Sequence, residues 1–204
     1  MSKTALLILS EGSEEMEAVI SADVLRRAGV KVTIAGLQGS NPIKCSRDVV
    51  IVPDVSLQEA AKQTYDAVIL PGGLKGAESL AQSDIVKDIL QSQEKSGRLI
   101  AAICAAPIAL KSHSIGTGKQ ITSHPCKQAE LSTGEYTYVE KRVAVDEHLI
   151  TSRGPGTAFE FALAIVKYFF GKEKAASLIN PMLMIIFYFG TPSLIAHTAT
   201  LFKL

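Results

Sequence analysis

Short apolar runs alternate along the chain with segments in which apolar residues recur at helical spacing. Such alternation is typical of βαβ units, and it predicts an α/β fold with a mainly parallel sheet covered by helices. The predicted strands are Ala5–Leu9, Lys31–Ala35, Asp48–Val52, Tyr65–Leu70, Arg98–Ile103, Gln120–Ser123, Tyr136–Val145 and His148–Ser152. The predicted helices are Glu14–Ala28, a short helix opened by Ser56, Asp84–Lys95, a short helix near Pro107–Lys111, and Thr157–Phe170. We therefore expect one α/β domain over residues 1–180.

Polar residues and glycines predict where several of these helices begin and end. Ser13 is the expected N-cap of the first helix, and Gly29 is expected to end that helix. Ser56 and Glu59 have the spacing of a capping box, which favours a helix start at this point. Gly171 is expected to close the last helix.

Composition excludes several classes of protein. With 204 residues and 47% hydrophobic content, the chain can bury a large core and does not need disulfides or a structural metal. The 21 Lys and Arg against 20 Asp and Glu leave a net charge of +1, so no basic surface for sequence-specific nucleic-acid binding is expected. Three cysteines without repeated spacing favour free thiols in a reducing, cytoplasmic compartment.

The C-terminus accounts for much of the mean hydropathy of +0.23, which is high for a soluble domain. No charged residue occurs from Ala175 to Phe202, and 14 of the 21 residues from Met182 to Phe202 are apolar. That length reaches the roughly 20 residues of a membrane span, but Gly190 and Pro192 interrupt the segment. We expect an atypical hydrophobic tail over 181–204 that packs on the domain or stays poorly ordered, rather than membrane contact through 182–202.

Candidate chemistry follows the predicted strands, because ligands of parallel sheets bind at the carboxyl ends of the strands. Glutamates follow the first strand, the pair Gly72–Gly73 follows the Tyr65–Leu70 strand, and Cys104 follows the most apolar strand. His124 follows the next strand. A thiol, a carboxylate, an imidazole and a glycine pair are therefore expected along one edge of the sheet.

Cys104 is the candidate nucleophile. It lies in Ala101–Pro107, where small residues allow a sharp turn from strand to helix. A helix N-terminus favours the thiolate, so we expect the pKa of Cys104 to lie below the free value of about 8.5. An inert buried cysteine remains an equal alternative at this point.

Glu17 is the candidate partner of the thiol. Its apolar neighbours Met16, Ala18 and Val19 predict a raised pKa, so the carboxyl can hold a proton and donate a hydrogen bond to a thiolate. Glu14 and Glu15 are expected to face water. A surface acid that stabilises the helix dipole is the alternative for Glu17.

Three further positions have both a chemical and a plain structural interpretation. Gly72 and Gly73 can turn backbone N–H groups toward a reacting oxygen, or they form an ordinary turn. His124 is a candidate general base close to the thiol of Cys126, or a loop histidine without a role. Too few ligand residues stand at suitable spacing for a metal site, and Cys45 is expected to carry no chemistry.

Five motifs in the same order and spacing resemble the DJ-1/ThiJ/PfpI superfamily over about residues 3–180. They are Glu14–Glu17, Cys45–Asp48, Leu70–Gly73, Ala101–Pro107 and Thr151–Thr157. The resemblance implies a flavodoxin-like three-layer sandwich that forms a homodimer, with Cys104 as the oxidation-prone nucleophile, Glu17 as its carboxyl partner and His124 as a nearby imidazole. It also implies a pocket from Gly72, Gly73, Ala105 and Pro155, with Arg27 and Arg47 on the wall toward the second subunit.

The function implied by this resemblance is glyoxalase activity without a cofactor, on 2-oxoaldehydes such as methylglyoxal, and deglycation of early glycation adducts on proteins. It is coupled to oxidative-stress protection in the cytoplasm, with the nucleus and mitochondrion as further compartments. The alternative is a non-enzymatic redox sensor and chaperone that acts through oxidation of Cys104. A cysteine protease fits less well, because no histidine directly follows Cys104.

Two positions depart from the family pattern. Val52 stands where members usually have a further cysteine near the dimer interface, so redox or metal chemistry of that cysteine is not expected here. Cys126 is an additional thiol after His124-Pro125 that could act as a resolving or competing thiol.

Overall fold

The computed structural model describes residues 2–184. The prediction of a hydrophobic tail over 181–204, without membrane contact through 182–202, therefore lies for the most part outside the described residues. Within them, no helix combines the length and the apolar content that crossing a bilayer requires.

Strands and helices alternate along the described chain. The strands are β1 Thr4–Leu9, β2 Lys31–Gly36, β3 Ile43–Lys44, β4 Val50–Ile51, β5 Val55–Ser56, β6 Ala67–Leu70, β7 Leu99–Ile103, β8 Gln120–Ile121, β9 Thr137–Tyr138, β10 Val143–Asp146 and β11 Leu149–Ser152. The α-helices are α1 Glu15–Ala28, α2 Leu57–Ala60, α3 Leu74–Ala81, α4 Asp84–Lys95, α5 Pro107–Ser112, α6 Gln128–Leu131, α7 Ala158–Phe170 and α8 Lys172–Ser177. Short 3₁₀ helices span Pro125–Lys127 and Pro155–Thr157.

A seven-stranded sheet with the order β10-β11-β7-β6-β1-β2-β5 forms the centre of the molecule. Its pairings are parallel except for the antiparallel pair β10–β11. The inner order β2-β1-β6-β7-β11 follows the flavodoxin-like pattern of doubly wound sheets. One apolar core packs α1 and α7 on one face, and a second core packs α2, α4 and α5 on the other. The predicted three-layer α/β sandwich is confirmed.

Two predicted strands differ from the structure. Asp48–Val52 contributes only β4, which pairs with β3 in a hairpin outside the main sheet. The segment Tyr136–Val145 divides in two, because β9 pairs in parallel with β8 while β10 joins the main sheet. Both differences arise from pairing with distant segments, which alternation along one strand does not reveal.

Helix α3 was not predicted, and its sequence explains why. It begins directly after Gly73 without a side-chain cap and contains Gly76, which disfavours a helix locally. A side chain at position 76 would place its Cβ 2.9 Å from the backbone of Ser13. Gly76 is therefore required by close packing of α3 against the loop after β1, at a cost in local helix propensity.

The helix caps agree with the predictions except at the start of α1. Glu14, not Ser13, is the N-cap, and its Oε2 accepts a hydrogen bond from the Glu17 N–H over 2.8 Å. Ser13 instead accepts a hydrogen bond from the Ser10 N–H. Gly29 ends α1 in the left-handed conformation, with φ of 92°. At the other predicted boundaries, Ser56 caps α2 and Gly171 ends α7.

Candidate active site

Cys104 occupies a strained turn at the carboxyl end of β7. Its φ is 66°, in the left-handed region that a residue with a side chain rarely adopts. The Cys104 N–H donates to the carbonyl of Ser152 over 2.9 Å, and its own carbonyl accepts from the His124 N–H over 2.8 Å. These two hydrogen bonds tie the turn to the end of β11 and to the loop after β8. The thiol is thereby presented at the edge of the sheet, half-buried.

Glu17 lies opposite this turn, on the first turns of α1, and is fully buried. Its Oε2 accepts a hydrogen bond from the Gly72 N–H over 2.7 Å. Its Oε1 is also buried and has no hydrogen-bond partner of ordinary geometry among the described residues. The thiol of Cys104 is the side chain that interacts with this carboxyl across the site.

Gly72 makes this approach possible. A Cβ at position 72 would lie 2.6 Å from Cys104 Cβ and 2.9 Å from Glu17 Oε2. Real Cβ atoms essentially never come as close as 2.6 Å to another carbon, so any side chain here would push the thiol and the carboxyl apart. The first glycine of the pair is therefore a steric requirement of the site as well as a hydrogen-bond donor.

The pKa of Glu17 is raised from 4.5 to about 7, chiefly by burial and in addition by the neighbouring charge of Glu14. The Gly72 N–H and the Cys104 thiol oppose this shift but do not cancel it. The direction agrees with the prediction from the apolar neighbours of Glu17. The carboxyl can consequently carry a proton near neutral pH.

The prediction of a lowered pKa for Cys104 was wrong. Burial raises the pKa of the thiol to about 12, and the charge of an ionised Glu17 raises it as well. The backbone N–H groups of Gly73 and Ala105 donate toward the sulfur and lower the pKa, but they do not outweigh these effects. Helix α5 begins only at Pro107 and has six residues, so its dipole is small and begins beyond the thiol.

The two groups influence each other's titration, because the charge of ionised Glu17 disfavours the Cys104 thiolate, whereas the Cys104 thiol lowers the pKa of Glu17. The pair releases its first proton near pH 7 and retains the second to about pH 12. Between these values Glu17 is ionised and Cys104 holds the remaining proton, which can pass to Glu17 across the site. When the proton is on Glu17, Cys104 is a thiolate and the carboxyl is a hydrogen-bond donor.

Gly73 and Ala105 complete the environment of the sulfur. Gly73 has a φ of 84°, and a Cβ there would collide with the carbonyl oxygen of Gly12. This conformation aims its N–H at the sulfur from one side, while the Ala105 N–H approaches from the turn itself. Two converging backbone donors can stabilise negative charge on sulfur or on an oxygen bonded next to it.

His124 is joined to the site by its backbone, through the hydrogen bond to the Cys104 carbonyl. Its side chain is exposed, and Nδ1 accepts a hydrogen bond from the Cys126 N–H over 3.3 Å. In the neutral ring the proton is therefore on Nε2, so the imidazole offers a donor. The Cys126 thiol is exposed one turn further on, in the 3₁₀ helix.

Pro155 lies in the loop after β11, at the same edge of the sheet as Cys104. Thr157 holds this loop, because its Oγ1 accepts hydrogen bonds from the N–H groups of Arg153 and Gly154. Thr157 was not among the predicted residues. The sequence feature that could have identified Thr157 is its position in the motif Thr151–Thr157.

The two predicted arginines occupy different places. Arg27 is exposed near the end of α1, where it pairs with Asp23 over 2.6 Å. Ten residues of helix separate it from Glu17, a distance of about 15 Å, so the single chain does not bring it to the thiol. Arg47 lies closer, since its N–H donates to buried Glu15 over 2.8 Å.

Glu15 corrects another prediction, because it is buried instead of facing water. Burial raises the pKa of Glu15, but hydrogen bonds outweigh this effect and hold the pKa below its usual value. Donors include the Ser46 hydroxyl and the Arg47 N–H, both at 2.8 Å. Glu15 therefore fastens the turn after β3 to α1, which orients the neighbouring helix turn that carries Glu17.

Within residues 2–184, no three His, Cys, Asp or Glu side chains gather closely enough to hold a metal ion.

The comparison with known proteins defines the family. The family model described as "DJ-1/PfpI family" matches residues 3–168. The chain belongs to the DJ-1/PfpI family.

Relatives within the DJ-1/PfpI family match almost from end to end. Protein dj-1beta of Drosophila melanogaster is 54% identical over 185 residues, which are 90% of this chain and 98% of that protein. The Parkinson disease protein 7 homolog of Danio rerio is 53% identical, with 89% and 97% covered. The crystal structure of Drosophila melanogaster DJ-1beta has a TM-score of 0.89 at 53% identity, and the match covers 91% of this chain and 100% of that chain.

One relative in the family is named for an enzymatic activity. The glutathione-independent glyoxalase DJR-1.2 of Caenorhabditis elegans is 42% identical over 181 residues, which are 88% of this chain and 96% of that protein. The DJ-1/PfpI family thus includes a protein that is named a glyoxalase and is 42% identical to this chain, which supports an enzymatic activity.

Proposed function

We propose that this protein is a cysteine-dependent glyoxalase that converts 2-oxoaldehydes such as methylglyoxal to 2-hydroxy acids without glutathione or another cofactor. The observation that carries the proposal is the buried Glu17 carboxyl beside the Cys104 thiol, both packed against Gly72. A carboxyl with a pKa of about 7 is suited to moving a proton to and from carbon. The glyoxalase among its relatives supports the same class of reaction.

The reaction begins when the proton of the Cys104 thiol passes to Glu17 and leaves Cys104 as a thiolate. The sulfur adds to the aldehyde carbon, and the resulting oxyanion is stabilised by the N–H groups of Gly73 and Ala105 before it takes a proton. The product of this step is a hemithioacetal. Because the sulfur is bonded to the aldehyde carbon, the hydrogen that must move next is on that carbon.

Glu17, ionised after giving its proton to the oxyanion, removes the hydrogen from C1 of the hemithioacetal and yields an enediol. Protonation at C2 then gives a 2-hydroxyacyl thioester on Cys104. Water attacks the thioester carbonyl, the thiolate leaves, and lactate is released from methylglyoxal. The overall change is methylglyoxal plus water to lactic acid, so no external oxidant or reductant is needed. His124, with its proton on Nε2, supplies a donor at the substrate oxygen.

Early glycation adducts on proteins are the second substrate class of this proposal. An aminocarbinol or a hemithioacetal formed from methylglyoxal and a protein amine or thiol carries the same hydroxyl-bearing carbon next to a ketone. Attack by the Cys104 thiolate releases the amine or thiol and leads to the same thioester. Half-exposed Cys104 lies at the edge of the sheet, where an adduct on another protein can reach it.

Lactate formation from methylglyoxal in glutathione-free buffer tests the enzyme proposal. We expect turnover by the full chain, loss of at least a hundredfold in Cys104→Ser, and unchanged turnover in Cys126→Ser, which controls for removal of a thiol. Equal rates for the protein and Cys104→Ser, after correction for the spontaneous reaction, would refute the proposal. Glycated peptide incubated under the same conditions tests the deglycation activity separately.

A redox sensor is the second candidate function, and the two backbone donors around the sulfur favour it. The N–H groups of Gly73 and Ala105 can also stabilise a sulfinate formed at Cys104 by two-electron oxidations with peroxide. Peptide mass spectrometry after mild peroxide treatment should locate two added oxygen atoms on Cys104. A protein that oxidises in this way but makes no lactate would favour the sensor over the enzyme.

We also propose a homodimer, and an exposed apolar surface supports it. Met16 and Val19 on α1 are each 52% exposed, and Val50 and Val52 of the β4 hairpin are 57% and 65% exposed. Exposed apolar side chains that form one contiguous patch are typical of protein interfaces, so the proposal requires α1 and the hairpin to share one face. Sedimentation should give twice the chain mass of 21.8 kDa, and Val52→Lys should weaken the association.

A further inference from the structure

A second concavity lies on the sheet face opposite α1 and α7. It has a volume of about 320 Å³ and lies between α4 and the segment 61–65, over β1 and β6. This volume is in the range of pockets that bind small molecules. Arg98, which lines it, immediately precedes β7, whereas Cys104 immediately follows β7. The strand separates the two by about 20 Å, so the concavity is not part of the candidate active site.

The floor and one wall of the concavity are apolar. Leu6 and Val68 are partners in the register of β1 and β6, and both side chains are buried. Ile85 and Ile89 lie four residues apart on α4, which places them on one face of that helix toward the concavity. Ile85 and Ile89 are only partly buried, so they offer an apolar surface for the body of a ligand above the buried floor.

Arg98 supplies a cation at the edge of this apolar surface. Its Nε donates to Gln93 Oε1 over 2.6 Å, and its Nη2 lies 3.3 Å from Ser92 Oγ and 3.4 Å from the Ser92 carbonyl. All three acceptors are neutral. Among the described residues, no carboxylate lies within ion-pair distance of this guanidinium. Its positive charge is therefore uncompensated by a direct partner.

Gln93 holds this guanidinium in place. Its side chain is 3% exposed, and its Nε2 donates to the Leu99 carbonyl over 3.2 Å. The amide is thereby fixed to the start of β7, and its oxygen orients Arg98 beside the concavity. A guanidinium that is already oriented loses little entropy when it binds a carboxylate, and its planar fork matches the two oxygens.

Tyr65 and Asp88 narrow the range of ligands. The ring of Tyr65 forms a wall, and its hydroxyl is buried without a hydrogen-bond partner in the described part of the chain. A ligand oxygen that reaches this hydroxyl would remove an unfavourable feature of the free protein. Asp88 is exposed at the rim and carries the opposite charge to Arg98. Its charge disfavours ligands with two or more negative charges, such as phosphates.

We propose that this concavity binds a small monocarboxylate with a branched aliphatic or aromatic body, whose carboxylate contacts Arg98 while its apolar part packs against Ile85 and Ile89. The site is independent of the reaction at Cys104. The site lies at the end of the sheet remote from the thiol, and its occupancy would follow the concentration of an organic acid.

The wild-type chain tests the chemistry of the ligand. In a titration followed by amide NMR shifts, 4-methylpentanoate should cause saturable changes in residues 61–65, α4 and Arg98. The neutral alcohol 4-methylpentan-1-ol, which has the same body, should bind about tenfold more weakly because it lacks the charge. Equal affinities for the acid and the alcohol, no saturation, or shifts confined to Gly72, Gly73 and Ala105 would overturn the proposal.

Variants test the residues. Arg98→Gln should weaken binding of 4-methylpentanoate about tenfold, whereas Lys87→Gln, which removes a positive charge from the solvent face of α4, should not change it. Tyr65→Phe removes only the unpaired hydroxyl and should weaken binding without loss of fold. Wild-type affinity in both Arg98→Gln and Tyr65→Phe would refute the site. If Arg98→Gln does not fold, the comparison of acid and alcohol on the wild-type chain still decides.

Discussion

The Gly72 N–H donates a hydrogen bond to Glu17 Oε2 over 2.7 Å, across 55 residues of sequence. The same glycine lies so close to Cys104 that a Cβ would come within 2.6 Å of the Cys104 Cβ. Gly72 therefore has two effects. Its N–H orients the Glu17 carboxyl, and its lack of a side chain leaves room for the Cys104 thiol. The chemistry proposed for the pair depends on the absence of a side chain at this one position.

Gly72→Ala should therefore damage the site more than the fold. The methyl group displaces Cys104 or Glu17, and a displacement of about 1 Å in an active site costs about a hundredfold in rate. Overpacking should lower the free energy of unfolding by about 1–3 kcal/mol. Lactate formation and urea denaturation measure the two effects.

Gly134→Ala is the matched control for Gly72→Ala. Its φ of 98° strains an alanine, but no atom lies within 4 Å of the added Cβ. We expect a loss of about 1 kcal/mol in the free energy of unfolding and unchanged turnover. A similar loss of turnover in both variants would show that general destabilisation, and not the contact with Cys104, explains the effect at position 72.

Two substitutions of Glu17 distinguish its charge from its hydrogen bond. Glu17→Leu and Glu17→Gln both remove the charge, but only Gln retains an N–H donor that can reach the sulfur. If a protonated Glu17 stabilises the thiolate, the pKa of Cys104 should be higher in Glu17→Leu than in Glu17→Gln. Ultraviolet absorbance of the thiolate, recorded against pH in a Cys45→Ser/Cys126→Ser background, measures both values. Identical pKa values would exclude the donor role.

The raised pKa of Glu17 predicts how stability depends on pH. Below pH 4.5 both the folded and the unfolded chain hold this proton, so Glu17 has no effect. From pH 4.5 to about 7 the folded chain keeps a proton that the unfolded chain has lost, so the free energy of unfolding falls as pH rises. Above about pH 7 both forms are ionised and the loss levels off, at about 3 kcal/mol.

Denaturation of the wild type and Glu17→Gln at pH 5, 6, 7 and 8 checks this dependence. The variant lacks the titrating group, so its stability relative to wild type should increase between pH 5 and 7 and then remain constant. Cys104 does not disturb the comparison, because an unfolded thiol stays protonated over most of this range. A constant difference between the two proteins from pH 5 to 8 would mean that Glu17 is ionised throughout.

The thiols of Cys126 and Cys45 should differ in reactivity toward iodoacetamide. Cys126 is exposed and should react first in the native protein. Burial raises the pKa of Cys45 to about 11, as do the charges of Glu15, Glu11 and Glu14, so this thiol should react only after denaturation. Timed alkylation with peptide mass spectrometry measures each site. Labelling of native Cys45 at the rate of Cys126 would contradict the burial seen here.

Local patterns predict those elements whose signals lie within the element itself. The helix α4 was predicted with its observed bounds, because its apolar spacing and its N-cap Ser83 are contained in one stretch of sequence. Helix α3 was missed, since Gly76 is required by Ser13 more than 60 residues away along the chain. In the same way, Glu15 was expected to face water because its donors at Ser46 and Arg47 lie in another turn.

The sequence by itself determined the α/β class, the family, and the edge of the sheet where Cys104, Glu17 and the glycine pair meet. These features follow from apolar periodicity and from which residues come after each strand, and both are local. Only the tertiary structure decided the protonation of the site. Burial by distant segments removes water from Cys104 and Glu17, and this loss of solvation raises both pKa values, against the lower thiol pKa that the local turn and helix predicted.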